Sequence, residues 1–417
     1  MYCGSCLLDN ALAAEMMAQR HDVILLPVYT PTRTDDKNVS HQRVFFSGIS
    51  IYLEQYLSFF RKTPWLVDRL WESSWLLKMF SGRGISPDPT LLGELTLSML
   101  KGEAGNLKKE FQKLAEWIRT ESPPDMIHLP NSLLISMARP IREVLQRPVC
   151  CTIQGEDLFI SRLQEQYRQQ AVDLISSQVQ FVDAFIFSND SYADQMSRLF
   201  SIPQCKVFTI PFGINLSSFS SQARTTSSPF TVGFFARIAP EKGLHVLSGA
   251  YCQLRKKGLL PKSKLEVGGY LGAEQRSYLN KIVETMRQAG LSSEFQYHGA
   301  LGKTEKANFY RTLDVFSLPA IYDEPKGLSA LEAMASGVPV LLPRRGAFIE
   351  MIEKTSGGLL YNPEDHDSLA QAIHRVYSDR AMAQVLAVNG LKGVREHYSI
   401  TRMAHNVLGV YQKLGGS

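Results

Sequence analysis

Short, uninterrupted apolar runs recur along the chain, separated by helix-patterned segments, and this alternation restricts the fold more than any other feature. The first set is DVILLPV (22–28), MIHL (126–129), VCCTI (149–153), FVDAFIFS (181–188) and KVFTIP (206–211). Strands buried on both faces belong to parallel sheets covered by helices. Strands alternating with helices predict a doubly wound α/β sheet. The pattern restarts with TVGFFAR (231–237) and continues through KLEVGG (264–269), EFQYHG (294–299), LDVFSLP (313–319) and VPVLLP (338–343). Between the two sets lies SSFSSQARTTSSP (217–229), a Ser/Thr-rich tract that reads as a linker. A chain of 417 residues is also too long for one ordinary core. The expected division is residues 1–216, the linker 217–229, and a second α/β domain over 230–398, followed by a terminal segment 399–417.

The stretch from about 48 to 120 breaks the rhythm. GISIYLEQYLSFFRKTPWLVDRLWESSWLLKMF carries three of the four tryptophans at helical spacing. Its plain reading is a helical insertion packed on the sheet edge. Its sharper reading, from the alternation of aromatics with Arg and Lys, is an acceptor pocket or a peripheral membrane contact.

Composition removes several classes. Hydrophobic residues at 44% and charged ones at 20% describe a folded globular chain. The net charge of +5 is spread without a basic block, which argues against nucleic acid and suits anionic small molecules or an anionic surface. No apolar run is long enough to span a membrane, and the first residues do not read as a signal peptide. The cysteines (Cys3, Cys6, Cys150, Cys151, Cys205, Cys252) are too few and too irregular for a disulfide framework. Cys3-Gly-Ser-Cys6 has no second ligand pair for zinc and no strand leading into it for a thioredoxin-like site, so its spacing reads as incidental. The compartment reads as cytoplasmic and reducing.

The densest chemical signal is PAIYDEPKGLSALEAMASGVPVLLPRRG, from Pro319 onward. A strand ends at Pro319, a loop with Glu324, Lys326 and Gly327 follows, and a helix begins near Leu328. Gly337 stops that helix before the next strand. The free N–H groups and dipole of a helix opening after a parallel strand make a site for anions. Glu324 lies just before the helix and Glu332 two turns into it, both suited to accepting hydrogen bonds from sugar hydroxyls. The plainer alternatives are an N-terminal acid stabilised by the dipole and a residue on a solvated face. A second anion-handling element weighs against them, because TVGFFAR ends in Arg237 and runs into Pro-Glu-Lys242-Gly243. Arg237 and Lys242 can both reach a diphosphate, one as a fork and one as a point charge.

R-x-x-x-x-K-G, followed by E-P-x-G-L-x-x-L-E-A-M-A-x-G-x-P-V, resembles the retaining glycosyltransferases of the GT-B fold, family four (glycosyltransferase group 1). The resemblance covers nearly all of the C-terminal domain. It implies two Rossmann-like domains facing across a cleft, the sugar nucleotide held mainly by the second, and a final helix at 399–417 crossing back to the first. It implies that Arg237 and Lys242 neutralise the donor diphosphate and that Glu332 holds the ribose hydroxyls. Glu324 would lie beside the transferred sugar, with the backbone of Lys326, Gly327 and Leu328 capping phosphates and sugar. Gly269, in VGGYLG, falls where the family places a loop near the nucleotide, and His298 would border the base.

The N-terminal half matches less closely. PFGIN (211–215), with Gly213, resembles the family's P-N-G-[VI]-D segment, but Phe212 replaces Asn and Asn215 replaces Asp. TIQGED (152–157) places Gln154 where the family has a histidine, so a hydroxyl can be bound there but no proton exchanged. Gln19-Arg20-His21-Asp22-Val23 matches the approach to the second strand, while the opening strand is missing. MYCGSC is then expected to be the loop joining that strand to the first helix, with Gly4 near the cleft and the recorded start set too late. A remnant protein is the other reading of the same gap.

The implied reaction moves a glycosyl group from a nucleoside diphosphate sugar to an acceptor hydroxyl with retention of configuration. The nucleotide sugar is a co-substrate and no cofactor is expected. No D-x-D follows a strand to hold a divalent metal, and Asp35-Asp36 reads as a solvated loop pair. The acceptor is unspecified: glycan, lipid or small molecule. Two rivals share the fold: a sugar-nucleotide epimerase, which needs proton-transfer groups that Gln154 does not supply, and a non-catalytic sugar-nucleotide-binding protein. A dehydrogenase is disfavoured because no G-x-G-x-x-G follows a first strand.

Overall fold

The computed structural model describes residues 4–28, 32, 34, 36–41, 44–46, 89–219, 229–365 and 367–415. They form two compact units, one holding the chain up to Ile210 together with the segment from Ala404 onward, the other Pro211–Met403. Each unit has one all-parallel sheet, so the doubly wound α/β class expected from the apolar runs is what the chain adopts. Cys3, Asp35, most of the tryptophan-rich stretch and most of the linker tract lie outside the described residues.

In the first unit the strands are β1 (Ile127–Leu129), β2 (Val149–Thr152), β3 (Ala184–Phe187) and β4 (Val207–Thr209), lying in that order. Every residue of β2 and β3 is buried, as their unbroken apolar sequence requires. The helix expected to start at Cys6 runs Gly4–Ala18 and buries Leu8, Asn10, Leu12, Ala13 and Met16. Asn10 uses its side chain to fix the segment that follows, donating to Lys37 O at 3.0 Å and accepting from Val39 N at 3.0 Å. Of the helical insertion expected over 48–120, the described part forms the helices Pro89–Leu100 and Lys108–Thr120.

Residues 22–28 depart from expectation. Among the described residues they make only isolated bridges, Leu25 to Ser40 and Val28 to Phe45, and Ile24 is 51% exposed. Single bridges fix an extended segment without the ladder that buries a strand among its neighbours. Apolar content alone therefore did not make a core strand here.

In the second unit β5 (Phe230–Phe235), β6 (Ser263–Gly268), β7 (Phe295–Tyr297), β8 (Val315–Ser317), β9 (Val340–Pro343) and β10 (Gly358–Tyr361) lie in the order β10-β9-β8-β5-β6-β7. β10 was not anticipated, because Gly-Gly-Leu-Leu-Tyr is a short run opening on glycines. Chain order reverses between β5 and β8. In an open α/β sheet a ligand binds outside the carboxyl ends of the strands at such a switch point.

The loops leaving β5 and β8 are locked together. Ile321 N donates to Glu241 O at 3.0 Å. Gly243 stands at φ +76° directly against Pro319, and a Cβ added there would lie 1.7 Å from the Pro319 carbonyl oxygen. Gly243→Ala therefore meets both a left-handed backbone and a rigid backbone neighbour. It is expected to cost at least about 2 kcal/mol, read as a lowered midpoint in urea unfolding. A variant as stable as the parent would mean that the two loops separate freely.

Candidate functional site

The locked loops gather most of the charged residues singled out in the second unit. After β5 the chain passes Arg237 and makes one tight turn, Pro240–Lys242, before the helix Leu244–Lys256. After β8 it passes Pro319, Tyr322 and Glu324 and enters the helix Leu328–Ala335 through Gly327. Gly327 stands at φ +63°, and a Cβ would lie 2.7 Å from Met351 Cε and 2.9 Å from Phe348 Cε1. The left-handed backbone and the helix Ala347–Thr355 packed against it therefore favour glycine at this helix start.

Glu324 is 5% exposed. Its Oε2 accepts from Lys242 Nζ at 2.5 Å and from the Tyr322 hydroxyl, and its Oε1 accepts from Lys326 N and Gly327 N at 3.3 Å each. Lys242 Nζ also donates to the Tyr322 hydroxyl at 2.6 Å and sits 4.9 Å from the centre of that ring. Burial alone would push the Glu324 carboxyl up. The Lys242 ammonium, its hydrogen bond and that of Tyr322 outweigh this and hold it at about 2. Arg237 is bound to Glu241, with Nη2 to Oε1 at 2.5 Å. The arginine side chain is 43% exposed while its partner is 8% exposed. The cationic face thus points outward over a buried carboxylate.

Glu332 lies on no solvated face. Its Oε1 accepts from Lys306 Nζ at 2.7 Å and its Oε2 from the Tyr310 hydroxyl at 2.8 Å, and the carboxylate side chain is 14% exposed. His298 follows β7, with Nε2 at 2.5 Å from Glu266 Oε2 and its ring 5.6 Å from that of Phe309. Gly269 follows β6 so closely against the β5 end that a Cβ would lie 1.7 Å from Ala236 O. Gly213 packs on the chain near its end, its N–H on Met403 Sδ at 3.3 Å and a Cβ position 2.4 Å from Ser399 O.

Gln154 and Gly4 belong to the first unit. Gln154 is 3% exposed, and its amide nitrogen donates to Pro130 O at 2.7 Å and Asp9 Oδ1 at 3.3 Å. Gly4 opens the first helix in open space. Five contributors were missed in the sequence: Glu241, Tyr322, Glu266, Lys306 and Tyr310. A signal existed for Lys306 and Tyr310, which stand at i and i+4 in KTEKANFYR and so share one helix face. Glu241 stands only four positions after its partner Arg237, a local signal that was overlooked, whereas for Glu266 the sequence offered none, because His298 lies 32 positions away.

Residues 218–393 match the family model described as Glycosyl transferases group 1. The chain is 28% identical over 234 residues to an uncharacterized glycosyltransferase of Methanocaldococcus jannaschii, covering 53% of this chain and 58% of that protein. It is 27% identical over 244 residues to a D-inositol 3-phosphate glycosyltransferase of Saccharomonospora viridis, covering 55% and 56%. The chain thus spans less than two thirds of these relatives' length. Among solved structures it is similar to HepE of Anabaena in complex with UDP, with a TM-score of 0.64 at 18% identity, over 75% of this chain and 84% of that one. The family match thus falls within the second unit, and the two parallel sheets are those of the GT-B fold.

Because the folded Glu324 carboxyl is held at about 2, below its ordinary 4.5, the native state binds its proton less readily than the unfolded chain does. The stability this confers is complete above about pH 5 and is lost as pH falls through about 2. Lys242→Met is expected to flatten that part of the stability–pH curve in denaturant titrations. An unchanged slope would remove the ion pair as its origin.

Proposed function

We propose that this chain, with a group 1 glycosyltransferase domain over residues 218–393, transfers a sugar from a nucleoside diphosphate sugar to an acceptor hydroxyl with retention of configuration. The observation that carries this reading is the switch-point cluster of the second unit. There Arg237 and Lys242 leave β5, Lys242 pairs with Glu324 before the helix Leu328–Ala335, and that helix carries the second oriented carboxylate, Glu332.

The arrangement suits a reaction in which the leaving group carries the growing charge. As the bond to the sugar breaks, negative charge accumulates on the diphosphate. Arg237 offers a half-exposed planar fork, and Lys242 an ammonium whose position Tyr322 and Glu324 fix. The helix starting at Leu328 adds its positive end, its approach through Lys326 and Gly327 being fixed by their amides on Glu324. Preorganised charge of this kind stabilises the transition state without rearrangement and calls for no divalent metal.

Glu324, ionised at any physiological pH, stands in this reading beside the transferred sugar and holds Lys242 and the loop amides in place, and Glu332 is the acceptor for the ribose hydroxyls. Retention follows in this reading from attack by the acceptor hydroxyl on the face that the diphosphate leaves. The leaving phosphate oxygen takes the acceptor's proton, so no protein nucleophile or titrating histidine is needed. In the second unit Gly213, Gly269 and His298 complete the proposed donor-binding set; in the first, Gln154 and Gly4 are the proposed donor-binding residues. No helix among the described residues is long and apolar enough to cross a membrane.

A thermal-shift panel of UDP-, GDP- and ADP-sugars tests the donor site. One nucleotide class is expected to raise the midpoint, and Arg237→Ala and Glu332→Ala to abolish the shift. Once an acceptor is found, Lys242→Ala should lower turnover by about 10²–10³-fold. A folded chain that shifts with none of the donors would sink the assignment. Donor binding without transfer to any of a broad set of glycan, lipid and small-molecule acceptors would favour a non-catalytic binding protein.

A further inference from the structure

We propose that Lys306 and Tyr310 are positioning residues. They fix the Glu332 carboxylate so that one acceptor site on each of its oxygens is presented to a vicinal diol, the ribose of the bound nucleotide. The inference rests on the donor-site reading above and names how one part of that site is held.

The geometry is a clamp. The helix Lys303–Arg311 places Lys306 and Tyr310 one turn apart on the same face. Each takes a different oxygen of Glu332, the ammonium Oε1 at 2.7 Å and the phenol Oε2 at 2.8 Å. Neither can swing aside cheaply. Tyr310 is fully buried, its ring in contact with those of Phe219, Phe235, Phe309 and Phe316 at centroid distances of 5.8–6.2 Å. Lys306 is 8% exposed, with Nζ 6.0 Å from the centre of the Phe235 ring. Phe235 ends β5, two residues before Arg237, so the clamp is anchored on the strand that leads into the cationic loop.

Counting acceptor sites gives the chemistry. An ionised carboxylate offers about four lone-pair directions, two on each oxygen. Lys306 and Tyr310 occupy one on each oxygen, which stops rotation about the terminal bond and leaves one on each. Two hydroxyls on adjacent carbons complement that remainder, each donating to a different oxygen. A single hydroxyl uses only half of it. Burial and the neighbouring Glu332 push the Tyr310 phenol up, so it stays a donor. A buried ion pair is weak evidence for stability, because well-packed apolar residues of similar volume often do as well. Fixed orientation is what this pair supplies.

The test compares ribose with deoxyribose. Calorimetric titrations with UDP, GDP and ADP select the nucleotide that binds, and the same nucleotide is then used in its 2′-deoxy form. The parent chain is expected to prefer the ribonucleotide by about tenfold or more, since hydrogen bonds to a charged acceptor are the strong ones. Tyr310→Phe, which keeps the ring packing, and Lys306→Met should each reduce that preference several-fold, weakening the ribonucleotide more than the deoxy form. Lys306→Arg should restore part of it. Loss of affinity for both forms in equal proportion would show a merely structural role and overturn the proposal. So would a ribose preference left intact in both variants. If Glu332→Gln itself leaves the preference intact, the ribose assignment of Glu332 fails and the clamp with it. If none of the three nucleotides binds the folded parent chain, the donor-site reading has failed first, and the clamp fails with it.

Discussion

The second unit depends on one close approach between segments far apart in sequence. Gly243 lies against the carbonyl of Pro319, and Ile321 N reaches Glu241 O at 3.0 Å. β5 and β8 are neighbours in the sheet, so their carboxyl ends emerge side by side, but adjacency alone would leave two independent loops. The missing side chain at residue 243 lets the backbones touch. Contact then brings Lys242 within 2.5 Å of Glu324. The helix beginning at Leu328 is aimed by the same contact, because Glu324 also accepts from the amides of Lys326 and Gly327.

Lysine–carboxylate pairs appear twice along the segment that enters this helix, and in both the lysine comes from a different element. Lys242 belongs to the turn after β5 and Lys306 to the helix Lys303–Arg311. Removing two charges from water costs several kcal/mol per ion, which their attraction offsets only with good geometry and further hydrogen bonds. Each pair has such a bond, from Tyr322 in one and Tyr310 in the other. A carboxylate, a lysine and a tyrosine thus recur as a unit; the Glu332 unit leaves an acceptor site on each oxygen, while Glu324 spends its remaining sites on the amides of Lys326 and Gly327.

How much of this was legible varied by kind of interaction. Strand identity in the second unit followed from continuous apolar runs, and the loop-to-helix transition at Gly327 followed from the glycine and the acids around it. Both are local, and local chemistry is written in adjacent residues. The partners were not legible. Lys306 and Glu332 are 26 positions apart, and only the sheet order brings their helices together. Residues 22–28 show the converse error, since a strongly apolar run needs neighbouring strands before it becomes a core strand. The short β10 failed to register because its sequence opens on two glycines, and its place is set by pairing with β9.

The first unit joins its strand ends differently, and the contrast explains why the chemical signal in the sequence is so uneven. Glu156 is 5% exposed and accepts from Ser132 N at 2.8 Å and Gln154 N at 2.7 Å, tying the loop after β1 to the loop after β2. Tyr192 reinforces the second loop, donating to Asp157 Oδ1 at 2.8 Å and accepting from Gly155 N at 2.8 Å. Nearby His128 lies between the Thr152 hydroxyl at 2.6 Å and the Tyr411 hydroxyl at 2.5 Å. Burial holds that imidazole down at about 4, so it is neutral at pH 7. In both units a buried carboxylate organises adjacent strand ends. In the first the bonds to it shown here come from backbone amides, which every residue type but proline can supply. In the second, lysine and tyrosine side chains are added to the amides of Lys326 and Gly327, and only particular residues can supply those. A motif is readable where side chains carry the function and faint where the backbone does, and the two halves of this chain differ in that respect.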